Sequence, residues 1–251
     1  MVDSSANSNY HALSAKLQQR FTRGLTYLVG YTWSKSIDSG SAIRNNDGDN
    51  QWPADSYNLH RERALSQFTV GRRFVASVLY ELPLGAGKPF ANWRGVADKL
   101  LGGWQVGSIL TFADGTPQNP AGIGDTNATT LYEGNHPNAT GISPFPAKQT
   151  ADQFWNIAAF DPISPSLTYL FGNMGRNVLF KPGTRQWDFS IVKNTRIHES
   201  HSLQFRFEAF NFANHPNWNT PSSDSKTAST FGKITSARTM REMQFGLKYA
   251  F

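Results

Sequence analysis

Apolar side chains recur at every second position in seven separate stretches of this chain. A period of two is the signature of a strand whose two faces meet different surroundings. The clearest stretch sets Leu25, Tyr27, Val29, Tyr31 and Trp33 against Thr26, Leu28, Gly30, Thr32 and Ser34. The same pattern gives apolar faces of Leu13, Ala15, Leu17, of Phe74, Ala76, Val78, Tyr80, Leu82, and of Trp104, Val106, Ser108, Leu110, Phe112. Three more follow: Trp187, Phe189, Ile191, then Leu203, Phe205, Phe207, Ala209, and finally Met243, Phe245, Leu247, Tyr249, Phe251. The centres of these faces hold no Asp, Glu, Lys or Arg. The opposite faces carry Lys16, Arg20, Arg73, Glu81, Asp188, Arg206, Glu208, Glu242 and Lys248. Tilted strands of roughly 9–11 residues cross a bilayer, and a cation facing lipid at mid-depth costs roughly 2–4 kcal/mol. The pattern therefore suits an antiparallel transmembrane β-barrel. A soluble β-sandwich segregates charge as well, so alternation leaves both open.

The connections separate the two readings. Thr22-Arg23-Gly24 joins the first two strands and Ile197 to His201 the fifth and sixth. Leu84 to Gly102 joins the third and fourth, with Arg94 to Leu101 expected to form a helical turn or two. The other links, Lys35 to Gln67, Ala113 to Arg185 and Ala213 to Thr239, are long and rich in Asn, Gly, Pro, Ser and Asp. Outer-membrane barrels carry long loops outside and short turns on the periplasmic side. With the carboxy terminus periplasmic, every long link falls outside and every shorter one inside. Aromatics then sit at interfacial depths, Trp33, Phe112 and Trp187 at the outer rim, Tyr249 and Phe251 at the inner one. Single-chain bacterial barrels use even strand counts, so seven strands predict a piece of a larger barrel that begins in an outer loop.

Composition adds exclusions. Mean hydropathy is −0.46 and no run approaches the roughly 18–20 apolar residues of a membrane helix. Cysteine is absent, and 24 Lys+Arg against 18 Asp+Glu give a net charge of +6 without a basic run. Residues Met1 to Tyr10 lack the charged and apolar regions of a signal peptide.

Several short motifs glance at chemistry without completing it. Gly85-Ala86-Gly87-Lys88-Pro89 lacks the Ser/Thr of a phosphate loop and reads as a turn. Asn45-Asn46-Asp47-Gly48-Asp49-Asn50 lacks the spacing and final glutamate of an EF-hand. His198 and His201 have no third ligand nearby in sequence. The carboxylates Glu208 and Glu242 suit a lumen-side ladder with Arg206 and Lys248 rather than acid–base work. Gln204-Phe205-Arg206-Phe207 and Gly71-Arg72-Arg73-Phe74 alternate bases and aromatics across opposite faces, which excludes an RNA-stacking sheet. No nucleophile or HExxH signature occurs. No enzymatic activity, cofactor, metal or nucleic-acid partner is expected. Trp52, Tyr57, Tyr132, Trp155, Phe160 and Trp218 fall in the long links, where they suit either ligand stacking or packing of the loops on themselves.

Longer motifs carry a family resemblance. They are Ser8-Asn9-Tyr10-His11-Ala12-Leu13, Gly30 to Asp38 (GYTWSKSID), Leu101-Gly102-Gly103-Trp104-Gln105, and Phe171 to Asn177 (FGNMGRN). Phe205 to Asn211 (FRFEAFN), Asn214-His215-Pro216 and the terminal strand complete the series. Spread over residues 1–251, the chain resembles the carboxy-terminal part of TonB-dependent receptors, the Oar-like group. The resemblance implies a barrel of roughly 22 strands in the outer membrane, plugged by a separate domain that engages a TonB complex. Such receptors take up scarce ligands such as siderophores, cobalamin or oligosaccharides. This sequence holds no plug and no TonB box, so transport by it alone is not expected. The resemblance also makes Met243, Phe245, Leu247, Tyr249 and Phe251 the signal read by the barrel-assembly machinery, with outer-membrane lipid as the other partner. The alternatives are a small self-contained barrel, structural or a passive pore, and a soluble carbohydrate-binding β-sandwich.

Overall fold

A computed structural model describes residues 6–41, 53, 55, 57–120, 137–161, 172–198, 200–223 and 228–251. Seven long strands form an antiparallel sheet in sequence order: β1 (Ser8–Thr22), β2 (Leu25–Asp38), β3 (Arg72–Glu81), β4 (Trp104–Ala113), β5 (Thr184–Arg196), β6 (Ser202–Phe210) and β7 (Glu242–Ala250). Each contains one of the seven alternating stretches. Ala64–Leu65 adds a two-residue strand against Ile37 and Asp38. The sheet is open, with β1 and β7 as its edges.

The turns follow from local chemistry. The β1–β2 loop is two residues, one shorter than the spacing predicts, because Thr22 already pairs with Leu25. Arg23 and Gly24 have φ of 52° and 85°, the double positive φ of the hairpin turn that matches strand twist. A register shift between Gln19 and Thr22 precedes it. The β3–β4 link forms α1 (Val96–Leu101) within the stretch expected to be helical. Gly103 then lies so close to β5 that an added Cβ would sit 2.1 Å from the Asn194 carbonyl oxygen, and its φ is +73°. Only glycine fits there. The strand therefore starts at Trp104 with the Asn194 N–H donating to Gly103 O at 2.9 Å.

The buried apolar core lies off the sheet. Among the described residues, Phe154, Trp155, Ala159, Phe160, Leu179 and Phe231 form the buried cluster, with Trp218, Met174 and Ile234 packed against it. All of them come from the β4–β5 and β6–β7 connections. Backbone bonds tie these connections together: Phe154 N–H donates to Gly232 O at 2.8 Å and Ile234 N–H to Ala151 O at 2.7 Å. The β2–β3 connection joins through Arg61, which donates to Gly172 O. The described parts of the three long links thus make one cap at one end of the sheet.

A buried ion pair fixes that cap to the strands. Arg176 is 2% exposed and pairs with the carboxylate of Asp38, the last residue of β2, itself 3% exposed. Its Nε donates to Glu62 O at 3.0 Å, and its Nη2 to Asp38 O at 2.9 Å. Asp38 also accepts from Ser41 Oγ at 2.8 Å. Next to it, Asn177 takes φ of 56° and donates from Nδ2 to Leu65 O at 2.8 Å. Removing one partner of a buried pair leaves the other charge uncompensated and costs roughly 3–5 kcal/mol. Arg176→Ala is therefore expected to loosen the cap, seen as faster proteolysis of the long connections with strand circular dichroism retained. The double change Arg176→Met with Asp38→Leu should recover most of the loss. Equal cleavage of the wild type and Arg176→Ala would refute the pair's anchoring role.

Candidate functional site

The site is the sheet itself, with its two rims. The ladders align the seven alternating stretches in a way that no single stretch dictates. Across the strands, Leu17 meets Val29, Ala76, Leu110 and Trp187 in one row. The next row runs Gln19, Tyr27, Val78, Ser108, Phe189, Ala209 and Met243. The row beyond runs Leu25, Tyr80, Val106, Ile191, Phe207 and Phe245. Because side chains alternate faces along a strand, all seven apolar faces lie on one side of the sheet.

The other side is tied together by polar groups. Gln105 donates to Glu81 at 2.9 Å, and Lys88 pairs with Glu81 at 3.1 Å. Gln186 donates to Asp188 at 2.7 Å, Gln204 to Asn194 at 2.8 Å, and Gln244 to Glu208 at 2.6 Å. Arg206 lies 3.5 Å from Glu208. Lys16, Arg73, Glu242 and Lys248 share this side by register. Apolar groups interrupt it at Leu28, Leu79, Ile109 and Phe210, all exposed.

The rims hold the aromatic residues singled out from sequence. Trp33 and Phe112 are exposed at the cap end, whereas Trp187 is half-buried. Phe212 meets the Trp187 ring edge-on at 4.9 Å, and Trp187 Nε1 donates to Ser108 Oγ at 2.9 Å. At the opposite end Tyr249 stacks on His201 at 5.7 Å and shares a hydrogen bond with its Nδ1 at 2.5 Å. Phe251 stacks on Tyr249 in turn, at 6.0 Å. Met243, Phe245, Leu247, Tyr249 and Phe251 are all exposed on the free edge strand. Near the same rim, Lys193 interrupts the apolar face, but its ammonium donates to Gly102 O at 2.7 Å and lies over the Trp104 ring.

The remaining sequence candidates separate cleanly. Of the loop aromatics, Trp155 and Phe160 are core residues of the cap and Trp218 packs against them, while Tyr57 is fully exposed. Trp52, Tyr132 and Asn45 to Asn50 lie outside the described residues. His198 and His201 rings are 6.3 Å apart, and among the described residues no three His, Cys, Asp or Glu side chains converge on a metal-sized site. Gly85 to Pro89 is an inner-rim turn, where Asp98 accepts from Ala86 N–H at 2.6 Å.

Sequence reasoning missed a cavity at the cap end of the apolar face. Its volume is about 840 Å³, and it is lined by Tyr31, Phe74 and Phe112 of the sheet and overhung by Phe154 and Trp218 of the cap. Arg72 and Arg185 also line it, and Arg72 pairs with Asp114 at 2.8 Å. Between the lining residues Pro216 and Trp218, Asn217 accepts from Arg185 N–H at 2.7 Å and donates to Arg185 O at 2.9 Å, as a neighbouring strand would. One residue before the lining Pro182, burial pushes the Lys181 ammonium below its ordinary pKa. The signal that could have pointed here was Asn211 to Pro216, whose Asn211 caps the turn by bonding both ways with His215.

Sheet, cap and sidedness describe an outer-membrane β-barrel wall. A family model described as an outer membrane beta barrel domain matches residues 1–244, and the chain belongs to that family. The family places it in the outer membrane of Gram-negative bacteria. No curated protein and no solved structure matches the chain.

A wall of this kind should tolerate charge on one face only. Val78 and Ser77 are neighbours mid-strand on opposite faces. Val78→Arg is expected to destabilise the membrane-folded chain by roughly 2–4 kcal/mol, measured by denaturant unfolding in vesicles, and Ser77→Arg by far less. Equal losses would sink the assignment of faces.

Proposed function

We propose that this chain is an arc of a larger barrel, the carboxy-terminal wall of a TonB-dependent receptor. On this reading the whole receptor takes up a scarce ligand (a siderophore, cobalamin or an oligosaccharide), the chain alone does not transport, and no catalytic step belongs to it. The observation that carries the arc is directional. In an antiparallel sheet of seven consecutive strands, β1 and β7 run the same way, and among the described residues neither edge has a further partner. Antiparallel closure therefore takes an odd number of further strands, as a barrel of roughly 22 strands would supply. The receptor assignment rests on the sequence motifs, two of which the cap joins: Asp38 ends one and Arg176 lies in the other.

The free edge at β7 also supports docking on the barrel-assembly machinery, since unpaired N–H and C=O groups template strand addition. Deleting Phe251 is expected to lower the assembled fraction in cells without changing detergent-refolded circular dichroism. An unchanged assembled fraction would remove the signal role.

The decisive experiment expresses the chain behind a secretion signal. It should fractionate with outer membranes and, after purification, give no defined conductance in planar bilayers. A folded monomer in the soluble periplasm would overturn the membrane reading in favour of the sandwich. A reproducible single-channel conductance would favour a self-contained pore instead.

A further inference from the structure

The cavity at the cap end opens on the side of the sheet that faces hydrocarbon. Tyr31, Phe74, Phe112 and Arg185 occupy one cross-strand row of that face. With the cap outside, this row lies at the depth of the outer leaflet. Three aromatic rings in line, with Phe74 and Phe112 6.2 Å apart, offer an apolar trough, and Trp218 covers it from the cap. At the end of the row stands a guanidinium. Asn217 holds the Arg185 backbone from both sides, which fixes where the side chain starts.

The charges do not balance inside the cavity. Arg72 is neutralised by Asp114, bonded through both Nε and Nη2 at 2.8 and 3.1 Å. Arg185 makes no side-chain hydrogen bond or ion pair among the described residues. A cation left beside hydrocarbon is costly unless an anion reaches it, and guanidinium prefers the forked geometry of phosphate oxygens. About 840 Å³ lies within the usual range of small-molecule sites, roughly 300–1,000 Å³.

We propose that this cavity binds a phosphate-bearing anionic lipid of the outer leaflet, its acyl chain along Tyr31, Phe74 and Phe112 and its phosphate on Arg185. The inference rests on the membrane reading above and adds a specific headgroup site to it.

The test uses the full chain folded into phosphatidylcholine vesicles, with insertion scored separately by protease protection. Tryptophan quenching by brominated phosphatidylglycerol is compared with quenching by brominated phosphatidylcholine, which reports the relative affinity for the two lipids. Charge-assisted hydrogen bonding predicts a preference for the anionic lipid of roughly tenfold. Arg185→Gln should abolish that preference, while Lys16→Gln on the polar face should keep it. A chain that inserts but quenches equally with both lipids overturns the lipid site alone. So does an Arg185→Gln variant that retains the preference. A chain that fails to insert overturns the site and the membrane reading together.

Discussion

Inside a bilayer a peptide group without a partner costs several kcal/mol, and water is not there to supply one. The backbone ladder is therefore the constraint on which everything else in this molecule depends. It pairs seven strands in sequence order, and its register also decides which side chains share a face. A one-residue slip in any ladder would turn that strand's apolar set to the polar side. The rows from Leu17 to Trp187 and from Leu25 to Phe245 show no such slip. The one register shift in the described ladders falls on β1 between its pairs Gln19–Tyr27 and Thr22–Leu25, next to the β1–β2 turn, and leaves the rows across β2 to β7 in phase.

The sheet and the cap are held by different physics. The apolar side of the wall needs no protein core because lipid covers it, and the residues buried on it are the small Ala76 and Ala209. The cap faces water and must bury its own apolar groups, which it does through Trp155, Phe160, Leu179 and Phe231. Trp155 even finds a partner for its indole N–H at Phe180 O, 2.9 Å away, as a buried tryptophan requires. Arg176 and Asp38 couple the two regions. The pair is expensive to desolvate and therefore sets geometry more than it adds stability.

The strands were legible because period two is a local property, readable from Tyr27, Val29 and Tyr31 with no knowledge of their neighbours. The phase of each strand was legible for the same reason, and the ladders then had only to align faces already chosen. The cap was not legible in that way. Arg176 meets Asp38 across 138 positions and Asn177 meets Leu65 across 112, and no periodicity reports a contact of that range. The sequence marked Trp155, Phe160 and Trp218 as either ligand platforms or loop packing, and only the tertiary arrangement could choose packing. Trp187 shows the intermediate case. Its face was readable, but its enclosure by Phe212 depends on how the β6–β7 connection leaves the sheet.

The cavity follows from this division of labour. A cap that packs on itself, rather than lying flat over the strand ends, leaves a step where it overhangs the wall. Tyr31, Phe74 and Phe112 form the floor of that step and Phe154 and Trp218 its roof. Lipid chains reach the floor from the side, while the charged rim at Arg72, Asp114 and Arg185 stands at the depth of headgroups. The same geometry explains why Asn217 is 3% exposed although it lies in a loop. It completes the hydrogen bonds of Arg185 where β5 begins and the β6–β7 connection crosses it. Side-chain amides can substitute for a strand only over one residue. The sheet therefore ends there and the cap begins, which places the cavity at the boundary between two regions stabilised by different solvents.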